Sequence, residues 1–132
     1  MFKFDEDVPL TDEGVWIDWN GSKFKIAHTS NMKFQRALAR LQQPYKRKLD
    51  AGTMDPAKNR QILAQAMSEA LLLDWQNVAN KEGDVTPYSV DNGHKALIKS
   101  EDFRDFVSNF AMNLDNFRSE VVEEMGNDSS IG

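Results

Sequence analysis

The sequence predicts a mainly α-helical single domain, with an N-terminal β-hairpin followed by about four helices. Three observations lead there. Residues 15–28 alternate apolar and polar side chains about Asn20-Gly21. Residues 56–79 form an unbroken run of helix formers with apolar residues at three- and four-residue steps. From Ser100 onward the same spacing returns, carried mostly by phenylalanine.

The bulk composition sets limits. A chain of 132 residues suffices for one domain with a sizeable core. It has no cysteine, which excludes disulfides and thiolate metal sites. With 21 acids against 16 bases the net charge is −5, so broad binding to a phosphate backbone is not expected. No apolar run approaches the roughly 20 residues that a membrane span needs. The opening residues lack a signal-peptide pattern, so a soluble intracellular protein is expected.

In chain order, residues 1–13 are acidic, carry Pro9 and read as a flexible arm. Residues 14–125 then form the domain. Val15, Ile17 and Trp19 share one strand face and Trp16 and Asp18 the other. Asn20 and Gly21 both tolerate positive φ, as a two-residue hairpin turn requires. Phe24, Ile26 and His28 alternate along the return strand. Ser30 or Asn31 can cap a first helix with Phe34, Ala37, Leu38 and Leu41 as its stripe. Pro44 should end or kink it. A basic cluster, YKRKL, leads through DAGTMDP to the central helix, expected over Pro56–Ala79 with Asp55 as its cap. Ser89 caps a short helix reaching Ile98. Ser100 caps the last helix, whose stripe runs from Phe103 to Met125. Residues 126–132 read as a disordered tail.

Asp74 breaks the stripe of the central helix. Placed between Leu71 and Val78 near a helix C-terminus, an unpaired carboxylate is costly to bury. Either the side chain reaches solvent at the edge of the stripe or, as is expected, a partner satisfies it, such as Arg36, Arg40, an indole N–H of the hairpin or backbone N–H groups of the loop before Ser89. Asp74, Trp75, Asn20 and Gly21 are assigned structural roles.

Little in the chain suggests catalysis, and no enzymatic activity is expected. The two histidines, His28 and His94, have no metal-binding spacing, and no phosphate-binding or nucleophile-elbow motif is present. Neither a cofactor nor a metal is expected. Arg36, Arg40, Lys46, Arg47 and Lys48 could meet nucleic acid, but cations also suit a solvated helix C-terminus. No nucleic-acid or membrane partner is expected. The stripe of Phe103, Phe106, Phe110, Leu114 and Phe117 is core or, where a small body leaves it uncovered, a partner-binding or self-association surface.

Four segments in order, GVWIDWNGSKFKIAHTSNMKFQRALARLQQPY, ALLLDWQNV, TPYSVDNGHKAL and FRDFVSNFAMNLDNFRSE, resemble the small tail assembly chaperones of long-tailed bacteriophages. The resemblance spans about Gly14 to Glu124. It implies a small, largely helical, non-enzymatic protein of the host cytoplasm. Such a protein binds the tape measure protein before the tail tube polymerises and is absent from the mature virion. It further implies a frameshifted longer form that recruits tail tube subunits. Apolar stripes, methionines and net negative charge suit that work, and would equally suit a small homo-oligomeric interaction protein. A connector or other tail protein retained in the particle is the alternative.

Overall fold

The computed structural model describes residues 13–118. The hairpin forms from β1, Val15–Trp19, and β2, Ser22–Ile26, in antiparallel register with Ile17 opposite Phe24. Asn20 and Gly21 turn the chain at φ 50° and 80°, both in the left-handed region. Gly14 precedes β1 at φ 77°, and a Cβ there would lie 2.8 Å from Leu73 Cδ1 and 3.1 Å from the Ile26 carbonyl oxygen. Only glycine fits so close an approach.

Among the described residues five α-helices follow: α1 (Met32–Gln42), the short α2 (Lys46–Asp50), α3 (Pro56–Ala70), α4 (Val90–Lys99) and α5 (Glu101–Met112). All but α2 are capped by a side-chain oxygen. Asn31 accepts from Phe34 N–H, Asp55 from Ala57, Ser89 from Asn92 and Ser100 from Phe103. Pro44 falls in a 3-10 turn, Gln43–Tyr45, between α1 and α2. The central helix α3 packs against α1 on one side and α4 on another. Its buried positions, among them Ile62, Ala64, Met67 and Ala70, accordingly spread over more than one face.

The mainly helical class is corrected by a third strand. Helix α3 stops at Ala70, not Ala79, and Leu72–Gln76 forms β3. It pairs antiparallel with β2, giving a three-stranded sheet in the order β1-β2-β3 and an α+β fold. Leucine favours helix locally, but β2 offers a full row of backbone partners and an apolar face carrying Phe24 and Ile26. Pairing there buries Leu72 completely and Trp75 nearly so. The register slips between Lys25 and Ile26, so Leu73 is an extra residue in β3. That bulge breaks the two-residue alternation that would have marked a strand.

Two further expectations change. Asp74 lies on a strand opposite Lys25, not on a helical stripe. Its carboxylate accepts the N–H of Trp75 at 2.8 Å, while Arg40 pairs with Glu69 at 2.7 Å. The last helix ends at Met112, where Asn113 caps a 3-10 turn over Leu114–Phe117. Val121 and Met125 of the expected stripe lie outside the described residues, as do the stretch 1–12 and the tail.

Candidate functional site

An aromatic cluster joins the sheet to α5. Trp19 stacks on Phe106, with ring centroids 4.7 Å apart and planes 7° from parallel. Phe24 lies 5.0 Å from Phe103 and meets Trp75 edge-on at 6.4 Å. Such offset and edge contacts add to the apolar area these rings bury. Trp75 is then fixed from its far side. Its indole N–H donates to the Thr86 carbonyl at 2.9 Å, and Tyr88 meets its ring edge-on at 5.4 Å.

Tyr88 is itself anchored, because its hydroxyl donates to the Leu72 carbonyl at 2.7 Å. Burial, and secondly the Asp74 carboxylate, push the Tyr88 phenol above its usual value. The ring therefore serves as a neutral donor strapped along the outer edge of β3.

The chain between β3 and α4 forms a wall beside this cluster. Ala79 bridges to Val85, and Asn80 Oδ1 accepts the N–H groups of Glu82 and Asp84. At its start, Asn77 takes φ 61° and donates to the Gly21 carbonyl, while Ser22 Oγ donates to the Asn77 carbonyl at 2.6 Å. The hairpin turn is thus tied to the end of β3. Between this wall and the α4–α5 corner lies a cleft of about 650 Å³, floored by Trp75, Val78, Ala96 and Phe103. Lys81, Glu82, Lys95 and Lys99 stand among its polar lining. A smaller lobe of about 190 Å³ shares Trp75, Val78, Ala96 and Phe103 and reaches Trp19 and Asn20. An apolar floor with a charged rim is built to hold an apolar group while its flanks stay in water.

The cleft presents no nucleophile beside a base. The nearest such pair lies elsewhere: Ser30 Oγ is 2.7 Å from His28 Nδ1. The same nitrogen accepts the Ser30 backbone N–H at 3.1 Å, which puts the proton of a neutral ring on Nε2. His28 is buried, rests edge-on against Phe117, and lines none of the clefts described. The contact fixes the turn between β2 and α1. His94 sits on α4 with Nε2 buried and unpartnered among the described residues. Among those residues no cluster of histidines and acids could hold a metal ion, and no helix is long and apolar enough to cross a membrane.

The five candidates on the last stripe separate by depth. Phe103 and Phe117 are buried core residues. Phe106 and Phe110 are half-buried, packed in a row of rings that ends on Phe117. Leu114 alone is exposed. The stripe therefore supplies one cleft residue, Phe103, and forms no continuous groove. Trp75, expected to be structural, is buried at the centre of the cleft floor, and Asn20 and Gly21 make the hairpin turn. Ala96, Val78 and Trp19 escape sequence reading as site residues. Their convergence depends on β3, and no local motif marks it.

No curated protein and no solved structure matches the chain. A family model described as YdaY prophage protein matches residues 29–127, from the end of the hairpin through α5 and beyond. That span covers well over half of the sequence and every described helix. The chain therefore belongs to the YdaY prophage protein family and is of phage origin.

Proposed function

We propose that this prophage protein is a non-enzymatic tail assembly chaperone. It binds apolar segments of the tape measure protein in the host cytoplasm, keeps them soluble during tail assembly, and is left out of the mature virion. The observation that carries the reading is a solvent-open cleft whose apolar floor is half-buried Val78 and Ala96 over the buried Trp75 and Phe103, beneath a charged rim. Phage origin and the order of motifs along the chain support it. Transient binding suits a cleft of this kind, because one apolar side chain seated in it contributes about 1.5–3 kcal/mol. Several weak seats along a long partner can hold it yet release it when tube subunits arrive. A frameshifted longer form recruiting those subunits belongs to the same proposal.

Co-expression with tape measure fragments from the same prophage tests it. The wild-type chain should keep those fragments in the soluble fraction. Ala96 is half-buried and lines both lobes. Ala96→Arg should fill the floor with charge and weaken fragment binding at least tenfold, about 1.4 kcal/mol, with an unchanged melting profile. Full solubilising activity in a folded Ala96→Arg variant would remove the cleft from the mechanism. Finding the protein by mass spectrometry in purified particles would replace the chaperone with a retained tail component.

A further inference from the structure

The two edges of the sheet differ. The β3 edge is strapped by the Tyr88 hydroxyl on the Leu72 carbonyl. The β1 edge has no neighbouring strand among the described residues. A two-residue turn makes Trp19 and Ser22 a hydrogen-bonded pair, so Ile17 with Phe24 and Val15 with Ile26 are bonded pairs too. The N–H and C=O groups of Trp16 and Asp18 therefore point away from β2. Two half-exposed tryptophans and an isoleucine occupy this strand, with only Asp18 as an edge charge.

We infer that β1 pairs antiparallel with β1 of a second copy of this chain, about a two-fold axis at Ile17. In this register Trp16 of each copy faces Asp18 of the other, and each facing pair exchanges two backbone hydrogen bonds. Ile17 faces its own counterpart on the apolar side of the sheet. On the opposite side the order across six strands becomes Asp74, Lys25, Trp16, then Asp18, Lys23 and Gln76 of the second copy. No like charges are neighbours in that row, and each aspartate has a lysine beside it. Other registers lose this match. A one-residue slip sets apolar against polar faces. Moving the axis to Asp18 opposes two carboxylates, and moving it to Trp16 sets Asp18 against Gly14, outside the strand. The self-match of charge and face selects a second copy over an unrelated extended peptide.

Sedimentation equilibrium of the full chain should show a species of twice 15.0 kDa that dissociates on dilution. Asp18→Pro removes an outward N–H without removing a hairpin bond, so it should yield a monomer with unchanged circular dichroism. Because the chain has no cysteine, Ile17→Cys gives a second, independent readout. Residues facing at a non-bonded antiparallel pair are close enough for a disulfide, so mild oxidation should link Ile17→Cys chains and leave Asp18→Cys chains largely unlinked. A monomer at every concentration, a dimer that survives Asp18→Pro in folded protein, or preferential linking of Asp18→Cys overturns the inference. Should Asp18→Pro fail to fold, the linking ratio decides.

Discussion

Asn31 shows how much one buried side chain can organise. Its Oδ1 accepts the Phe34 N–H at 2.9 Å, which starts α1. Its Nδ2 donates to the His28 carbonyl at 2.6 Å and to the Ala70 carbonyl at 3.3 Å. One amide thus joins the exit of β2, the start of α1 and the end of α3. Asn31→Ala removes a cap and leaves buried carbonyls short of donors, which should cost about 2–3 kcal/mol in urea denaturation. Asn31→Asp keeps the capping acceptor but loses both donors, and is expected to melt no higher than Asn31→Ala. Wild-type melting for Asn31→Asp would show that the two donated bonds contribute nothing. Sequence reading narrows the cap to Ser30 or Asn31, since either residue before an apolar-periodic run is a local signal. The two long-range donations are invisible to it, because they depend on where Ala70 ends its helix.

At the scale of elements, the hairpin and the starts of the helices were legible in the sequence. Asn-Gly chemistry and side-chain caps act within a few residues, so their signals are local. The third strand was not legible, because LLLDW meets the helical period as well as any strand period. Its bulge at Leu73 and its partner β2, some fifty residues earlier, decide its state. The aromatic cleft was hidden for the same reason: without β3, Trp75 cannot reach Phe24.

The strap on β3 gives this arrangement a pH signature. The folded state holds the Tyr88 proton more tightly than the unfolded chain does, because the phenol is pushed upward. The stability so contributed is fully present below the unfolded value of about 10 and is lost as pH rises through the folded value. Denaturation at about pH 8 and about pH 11 should show a smaller alkaline loss in Tyr88→Phe than in wild type. At neutral pH the same substitution should cost about 1 kcal/mol, the Leu72 hydrogen bond. Equal alkaline losses would mean that the phenol is not the responsible group.

For the whole molecule, charge divides along the chain. Lys33, Arg36, Arg40, Lys46, Arg47, Lys48, Lys58 and Arg60 stand against Asp50 and Asp55, so this span carries +6 within a chain of −5. Two of its cations make defined contacts: Arg40 reaches Glu69, and Lys58 lies over the Tyr45 ring at 5.5 Å. The cleft and the β1 edge lie on other elements and meet at Trp19, which ends β1 and lines the smaller lobe.

The placement of the three tryptophans turns these surfaces into optical reporters. Trp75 lies buried beneath both lobes of the cleft, Trp19 lines the smaller lobe from the end of β1, and Trp16 sits in the middle of that strand. Seating an apolar segment in the smaller lobe shields the half-exposed Trp19, Trp75 being buried already, and pairing of copies shields Trp16. In a Trp16→Phe variant, added tape measure peptide should shift the emission to the blue, while dilution should redden it less than it reddens the wild-type protein, because Trp19 lies only at the end of the paired strand. A single label-free spectrum, followed through a titration and then a dilution in both proteins, thus tells seating from pairing.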